Sequence, residues 1–142
     1  MNITEIPFNK FIGLSYTEES NYLLMLSDNK EYYNHLGTVH ASALFALAEA
    51  TSGHFLLTQF PELIKNIIPV VRKSETKFKK PANGRIFSKA SIIDDTIDNI
   101  KKQLSARKRI LIKLSVELFD DNEVKIFSGI FEWFVSLNHG NN

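Results

Sequence analysis

The chain has 142 residues, a net charge of +1 and no cysteine. This length is enough for one domain with a hydrophobic core, predicted here to span residues 1–142. The absence of cysteine excludes disulfides, thiolate metal sites and a cysteine nucleophile. The near-neutral charge gives no electrostatic reason to expect nucleic acid or a membrane as a partner. The first residues lack a secretion signal, so a cytoplasmic protein is expected.

The sequence before residue 34 predicts a short helical turn and then two strands joined by a polar turn. The helical turn is expected to pack Ile6 and Phe8 on the domain. Tyr32 and Tyr33, which follow, are interpreted as core packing or as the entrance to a pocket. The predicted elements cover residues 3–10, 13–16 and 22–27.

A long run of Ala, Leu and Phe predicts a helix over residues 39–59. Thr38 is the expected N-cap, and Gly53 marks either a C-terminal signal or a point of close packing. Apolar residues lie all round this helix, which is typical of a helix buried in a core. We therefore expect the strands to pack around it.

Glu49 breaks the apolar pattern of this helix. It is the only carboxylate between Glu31 and Glu62. Acidic residues are rarely buried unless they are paired or functional, and its neighbours one turn away offer no cation. Glu49 therefore faces a partner, a water-filled pocket or a substrate, unless this side of the helix is simply wet.

After the helix, the pattern predicts four strands with an amphipathic helix between the second and third. In the first of these strands, the even-numbered residues from Val70 to Phe78 are expected on one face. The predicted ranges are 67–79, 85–93, 110–119 and 124–135 for the strands and 94–108 for the helix, followed by a frayed tail at 139–142. This order predicts an α+β domain with an antiparallel sheet around one central helix.

Residues 34–53 resemble the signature of hotdog-fold thioesterases, specifically the phenylacetyl-CoA (PaaI-like) group. That signature reads Asn-x-x-Gly-x-x-His-Gly-Gly, and Asn34, Gly37 and His40 match it. Glu49 falls where the family carries its catalytic acid, whereas Ala41 and its successor replace the two glycines. With the strand layout, the resemblance covers nearly the whole chain and implies a single hotdog domain.

The resemblance implies hydrolysis of an acyl-CoA thioester. Glu49 would activate water or act as the nucleophile. The backbone N–H groups that follow Gly37, near Ala41, would form the oxyanion hole. Asn34 would position the thioester or the water, and His40 would orient the loop or donate to the carbonyl. A loop-stabilising Asn and a capping His are the structural alternatives for these two residues.

The spacing of Ala41 and Glu49 has a consequence for assembly. Eight residues correspond to about 12 Å along one helix, which a single Glu side chain cannot span. The oxyanion donors and the acid must then come from two chains related by a two-fold axis. A homodimer is therefore required by this mechanism, and the family resemblance implies a homodimer or a homotetramer.

One position departs from the family pattern. The PaaI-like group carries a serine on the strand after the helix, and alignment on the turn at 81–82 places Val71 there. Either Ser74 or Thr76 substitutes for it, or the reaction runs on Glu49 and Asn34 alone. The departure favours the alternative of a non-catalytic module that binds acyl-CoA or a fatty acyl group.

A CoA substrate also needs cations for its phosphates, although a solvated basic face is the alternative for any one of them. The candidates are Arg72, Lys79, Arg107 and Arg109. No cofactor is expected beyond the CoA of the substrate. No metal is expected either, because His40, Glu49 and His54 lack a metal-ligand spacing such as His-Glu-x-x-His.

Overall fold

The computed structural model describes residues 1–138, so the predicted tail at 139–142 lies outside the described residues. Six antiparallel strands form one sheet in the order β1-β2-β4-β5-β6-β3, which leaves β3 at an edge. The strands are β1 (Ser15–Tyr16), β2 (Leu24–Leu26), β3 (Ile67–Phe78), β4 (Ile86–Ile92), β5 (Arg109–Phe119) and β6 (Lys125–Leu137). The helices are α1 (Pro7–Phe11), α2 (Ala41–Gln59) and α3 (Ile97–Arg107), with 3-10 turns at Ile3–Glu5, Lys30–Tyr32 and Ile64–Asn66.

Helix α2 begins two residues later than predicted. His40 is the N-cap, since its Nδ1 accepts a hydrogen bond from the Ser42 N–H at 3.0 Å. The prediction of Thr38 as the N-cap was therefore wrong. Gly53 does not end the helix. It lies where a Cβ atom would come within 3.1 Å of the Trp133 ring, so the close-packing interpretation is confirmed.

The core lies between α2 and one face of the sheet. Strand β5 alternates between buried and more exposed residues, as predicted, with Ile112, Leu114 and Val116 directed into the core. Leu44, Leu47 and Leu56 of α2 are fully or almost fully buried. The sheet does not cover all of α2, because Ala41 is exposed and Phe45 retains 37% of its surface.

Buried hydroxyl groups fix α2 against the sheet. The Ser88 Oγ on β4 accepts hydrogen bonds from the Thr51 Oγ1 at 2.7 Å and from the Leu24 N–H at 3.2 Å. It donates to the Leu24 carbonyl at 3.1 Å. Buried polar groups that are satisfied in this way hold one packing arrangement rather than several. The middle of α2 is therefore placed accurately over β2 and β4.

A β-bulge at Arg72 changes the predicted faces of β3. Val71 pairs with Trp133 and Lys73 pairs with Glu132, so Arg72 is the extra residue. A bulge shifts the alternation of side chains by one position. Val71 therefore shares a face with Ser74, towards α2, whereas the strict alternation predicted from the sequence placed them on opposite faces.

The N-terminal segment lies against α2. Ile3 and Asn9 are buried, whereas Phe8 is 60% exposed, so the prediction that Phe8 packs on the domain was wrong. The strands before α2 are shorter than predicted. The element order, the antiparallel sheet and the helix α3 between β4 and β5 follow the prediction. The α+β hotdog fold expected from the sequence is confirmed.

Candidate active site

Asn34 uses its side chain to hold its own loop. Its Oδ1 accepts hydrogen bonds from the N–H groups of Leu36 at 2.9 Å and Thr38 at 3.2 Å. Its Nδ2 donates to the Thr38 Oγ1 at 3.0 Å. Gly37 adopts a positive φ of 74°, which favours glycine, and closes the turn. These contacts match the structural alternative for Asn34, and they shape the chain that leads into α2.

The N-terminus of α2 has few free donors. The N–H of His40 donates to the Tyr32 carbonyl at 2.7 Å, and that of Ser42 donates to the His40 imidazole. The next two N–H groups donate to the His40 carbonyl. Within residues 1–138, the N–H of Ala41 is the one group of this first turn without a protein acceptor. An unpaired N–H at a helix N-terminus is suited to binding a developing negative charge.

His40 supplies a second donor near this point. Because its Nδ1 accepts a hydrogen bond from Ser42, the neutral imidazole carries its proton on Nε2. His40 also lines a cavity of about 370 Å³ together with Ser42, Ala43, Ala46 and Tyr33; we call it the His40 cavity. The two tyrosines that precede the loop pack against the hydrophobic core and also line this cavity, so both interpretations from the sequence agree with the structure.

Glu49 lies on the wall of a second cavity, also of about 370 Å³, which we call the Glu49 cavity. Its other walls are mainly apolar and include Ile3, Ile6, Trp133 and Pro69. No cation or hydrogen-bond donor of residues 1–138 contacts the Glu49 carboxylate. Burial therefore raises the pKa of this carboxyl above its ordinary value of 4.5.

Residues that the sequence did not single out position Glu49. The Trp133 Nε1 donates to the Ser52 Oγ at 3.0 Å, and this hydroxyl donates to the Glu49 carbonyl at 2.7 Å. Gly53 lets the indole approach the helix. Asn9 lines the Glu49 cavity and is fixed by a hydrogen bond from its Nδ2 to the Ile3 carbonyl at 2.9 Å. A buried polar residue next to the lone carboxylate was the signal available, but only the fold brings Asn9 there.

Three of the four predicted phosphate contacts come together. Arg72, Arg107 and Arg109 line one groove of about 720 Å³ beside Leu111 and Phe134. We call it the arginine groove. Within the described part of the chain, Arg72 has one carboxylate neighbour, Glu132 at 3.7 Å, and the other two arginines have none.

Lys79 does not belong to the arginine groove. It follows β3 at the end opposite to Ile67, and its N–H donates to the Ile126 carbonyl at 2.8 Å. Seven residues separate it from Arg72, which corresponds to roughly 23 Å along a strand. Lys79 is therefore far from the groove that the three arginines share, and its contact with a CoA phosphate stays a prediction from the sequence.

The predicted substitutes for the family serine lie on the face of β3 that is turned towards α2. Ser74 pairs with Phe131 and Thr76 with Gly129, whereas Val71 pairs with Trp133. Pro69 is the β3 residue that lines the Glu49 cavity. No hydroxyl from β3 lines the Glu49 cavity. Among the residues that the structure describes, no three His, Asp or Glu side chains are grouped as metal ligands.

A family model for a domain of unknown function, DUF4442, matches residues 6–135. The match covers most of the chain, so the protein belongs to the DUF4442 family. No curated protein sequence matches it.

Solved structures resemble the fold over nearly its full length. A Pseudomonas aeruginosa protein of unknown function, described as a probable thioesterase, is 25% identical and has a TM-score of 0.81, with 96% of this chain and 91% of that chain covered. A thioesterase enzyme of Staphylococcus aureus is 16% identical (TM-score 0.66, 92% and 98% covered). A Bacillus halodurans protein solved with CoA is 17% identical (TM-score 0.68, 90% and 74% covered). The fold is thus that of the hotdog thioesterases.

No helix within residues 1–138 has the length and apolar character needed to span a bilayer.

Proposed function

We propose that the protein hydrolyses an acyl-CoA thioester to a free acid and CoA. The observation that carries this proposal is Glu49, an unpaired carboxylate on the wall of an apolar cavity. A raised pKa makes a carboxylate a stronger base, provided that it is ionised at the working pH. The name of the Pseudomonas protein and the CoA bound to the Bacillus protein support the same chemistry. The phenylacetyl-CoA subtype and the cytoplasmic location remain predictions from the sequence.

The proposed reaction uses Glu49 twice. Its carboxylate takes a proton from a water molecule as the water oxygen bonds to the thioester carbonyl carbon. The Ala41 N–H, aided by the His40 Nε2–H, stabilises the negative charge that develops on the carbonyl oxygen. The C–S bond then breaks, and protonated Glu49 returns the proton to the leaving thiolate. The products are a carboxylic acid and the CoA thiol.

The proposed site is completed by a second chain. Ala41 and Glu49 are separated by about 12 Å along α2, and this distance exceeds the reach of one Glu side chain. A two-fold dimer can place the Ala41 N–H of one protomer beside the Glu49 of its partner. The exposed part of α2 around Phe45, together with the unpaired edge of β3, offers surface for such an association.

The arginine groove is proposed to hold the phosphate groups of CoA. Pro69 lines the Glu49 cavity and Arg72 lines the groove, and three residues of a strand separate them by only about 10 Å. The pantetheine arm of CoA would span this distance between the groove and the cavity.

A module that binds acyl-CoA without hydrolysing it is the second candidate. Val71 favours this function, because it offers no hydroxyl at the position where the resembling family carries a serine. In a binding module Glu49 would contribute only an unfavourable buried charge, and its neutralisation would keep or improve affinity.

Thiol release from short, medium, long and aryl acyl-CoAs, measured for the wild type and for Glu49→Gln, tests the proposal. We expect the wild type to turn over at least one class and the variant to lose about 10²–10⁴-fold in kcat. Retained affinity of the variant for the same acyl-CoA, measured by calorimetry, excludes unfolding as the cause. If neither protein hydrolyses any acyl-CoA but both bind acyl-CoA tightly, the proposed hydrolysis is wrong and the protein is a binding module.

A further inference from the structure

Asn9 has an amide oxygen without a protein partner in the wall of the Glu49 cavity. It lies on α1 and is only 6% exposed. Its Nδ2 donates to the Ile3 carbonyl, and this bond fixes which end of the amide is which, because only the nitrogen can donate. Within residues 1–138, no group donates a hydrogen bond to the Asn9 Oδ1.

This oxygen opens into the cavity. Within the described part of the chain, every side-chain nitrogen or oxygen that is sealed from solvent has a hydrogen-bond partner. The Asn9 Oδ1 has none, so it reaches the small accessible surface that the residue retains. Because Asn9 lines the Glu49 cavity, this surface belongs to the cavity wall. A buried amide oxygen requires a donor, and a water molecule in the cavity can supply it.

The residues that the family resemblance assigns to the water are not available for it. Asn34 uses its amide for hydrogen bonds within its own loop. Val71 stands where the serine is expected, and no hydroxyl of β3 lines the Glu49 cavity. The indole N–H of Trp133, in the same wall, already donates to a serine hydroxyl. Asn9 is therefore the neutral polar group of this wall that is left for a water molecule.

We propose that Asn9 is a catalytic residue that holds the attacking water for Glu49. This inference rests on the proposed function, because it names a further residue of the same reaction. The Asn9 Oδ1 accepts a hydrogen bond from one O–H of the water. The Glu49 carboxylate removes the other proton as the water oxygen bonds to the thioester carbonyl carbon. With both protons engaged, a lone pair of the water is directed at that carbon. The amide itself gains and loses no proton.

Asn9→Leu keeps the size of the side chain and removes its polar atoms. Asn2→Ala is the matched control, because it loosens the same segment but lies outside the cavity wall. The Asn2 Oδ1 accepts hydrogen bonds from the Thr4 N–H at 3.0 Å, the Thr4 hydroxyl at 2.8 Å and the Tyr16 hydroxyl at 3.2 Å. We expect Asn9→Leu to lower kcat for thiol release roughly 10²-fold with little change in KM, and Asn2→Ala to keep the wild-type kcat. An equal loss in both variants would overturn the proposal.

The effects of Asn9 and Glu49 on kcat should not add, because both residues act on one water molecule. In the Glu49→Gln background, Asn9→Leu is expected to cause little further loss. A further loss as large as that in the wild-type background would place Asn9 at a different step and would contradict the proposal.

The water site can also be tested without turnover. A crystal structure of the wild type at neutral pH should show an ordered water about 2.5–3.0 Å from both the Asn9 Oδ1 and a Glu49 carboxylate oxygen. The same structure of Asn9→Leu should lack it. Absence of this water from the wild type would overturn the proposal. If the water is present but the wild type releases no thiol from any acyl-CoA, the proposed hydrolysis fails and the water site stands. If the wild type and Asn9→Leu release thiol equally fast, only the role of Asn9 fails.

Discussion

The loop at residues 34–40 and the middle of α2 use their polar groups in opposite ways. In the loop, Asn34, Thr38 and His40 are hydrogen-bonded to one another or to neighbouring backbone groups. In the helix, Glu49 has no partner among residues 1–138, and burial raises the pKa of its carboxyl. Both segments belong to the stretch that resembles the family signature, yet only the helix carries a carboxylate without a protein partner among residues 1–138.

This difference separates residues that build the site from residues that react. A satisfied network fixes geometry because each group already has its partner. An unpaired, half-buried carboxylate such as Glu49 instead remains available to water or substrate. On this basis Asn34 and Gly37 shape the loop, and His40 caps α2 through its Nδ1. In the proposed reaction the Ala41 N–H, aided by the His40 Nε2–H, and the Glu49 carboxylate are the reacting groups.

The largest loss of activity is expected from a change at the Ala41 N–H, which has no hydrogen-bond acceptor within residues 1–138. Ala41→Pro removes the unpaired N–H. Proline is well tolerated at the first helical position, and His40 already has the extended conformation (φ −63°, ψ 140°) that precedes proline. We expect kcat for thiol release to fall about 10²–10³-fold with little change in the melting temperature. Ala41→Gly, which keeps the N–H, is the control. If kcat falls equally in both variants, the Ala41 N–H does not stabilise the oxyanion.

Asn34 should show a structural effect instead. Asn34→Ala removes the side-chain hydrogen bonds that Asn34 makes with Leu36 and Thr38 and is expected to cost about 1–3 kcal/mol of unfolding free energy, measured by urea denaturation. Asn34→Asp keeps an oxygen acceptor for the Leu36 and Thr38 N–H groups. It should therefore restore most of the stability and the activity. Restored stability without activity would instead indicate that the Asn34 amide touches the substrate or the water.

The arginine groove should affect binding of the substrate rather than its chemistry. Arg107→Ala combined with Arg109→Ala is expected to raise KM for the acyl-CoA about tenfold and to leave kcat unchanged, since charged hydrogen bonds to phosphate are lost. Lys79→Ala, outside the groove, is the matched control. With an acyl-pantetheine that lacks the nucleotide, all three proteins should have the same KM. If the KM values still differ with acyl-pantetheine, the arginine groove does not bind the nucleotide part of CoA.

The smallest effect is on stability, and its sign follows from the raised pKa of Glu49. The folded state holds this proton more tightly than the unfolded state, so wild-type stability falls as pH rises from about 4.5 through the raised pKa. Glu49→Gln removes this term. The free energy of unfolding is measured with urea at a series of pH values. As the pH rises from about 4.5 through the raised pKa, the stability of the variant should increase relative to that of the wild type. Parallel curves for the two proteins would show that Glu49 is solvated.

The fold was readable from the sequence because its signals are local. The alternation in β5 and the apolar run of α2 report burial directly, and the lone Glu49 stands out against that run. A capping His40 was one of the alternatives that the sequence offered, and the structure confirms it, but the choice of His40 over Thr38 and the bulge at Arg72 were not readable. Each depends on a choice between neighbouring residues with similar propensity, and tertiary contacts decide it.

The site was only partly readable for the same reason. Glu49 and Ala41 follow from the helix, whereas Asn9, Phe8 and Trp133 reach the site from distant parts of the chain. The arginine groove combines residues of β3, β5 and α3, so only the fold separates its members from Lys79. Spacing along the chain identifies residues that share one element, but it does not indicate which elements meet.

Mixing two inactive variants tests the shared site most directly. Glu49→Gln and Ala41→Pro chains, differently tagged, are co-expressed, and thiol release is measured on the purified hybrid population. If each site takes its donor from one protomer and its acid from the other, a hybrid dimer contains one intact site. Because one of its two sites is intact, the purified hybrid then has roughly half of the wild-type specific activity. A mixture as inactive as its components, with hybrids shown by the tags, would contradict a site built from two chains.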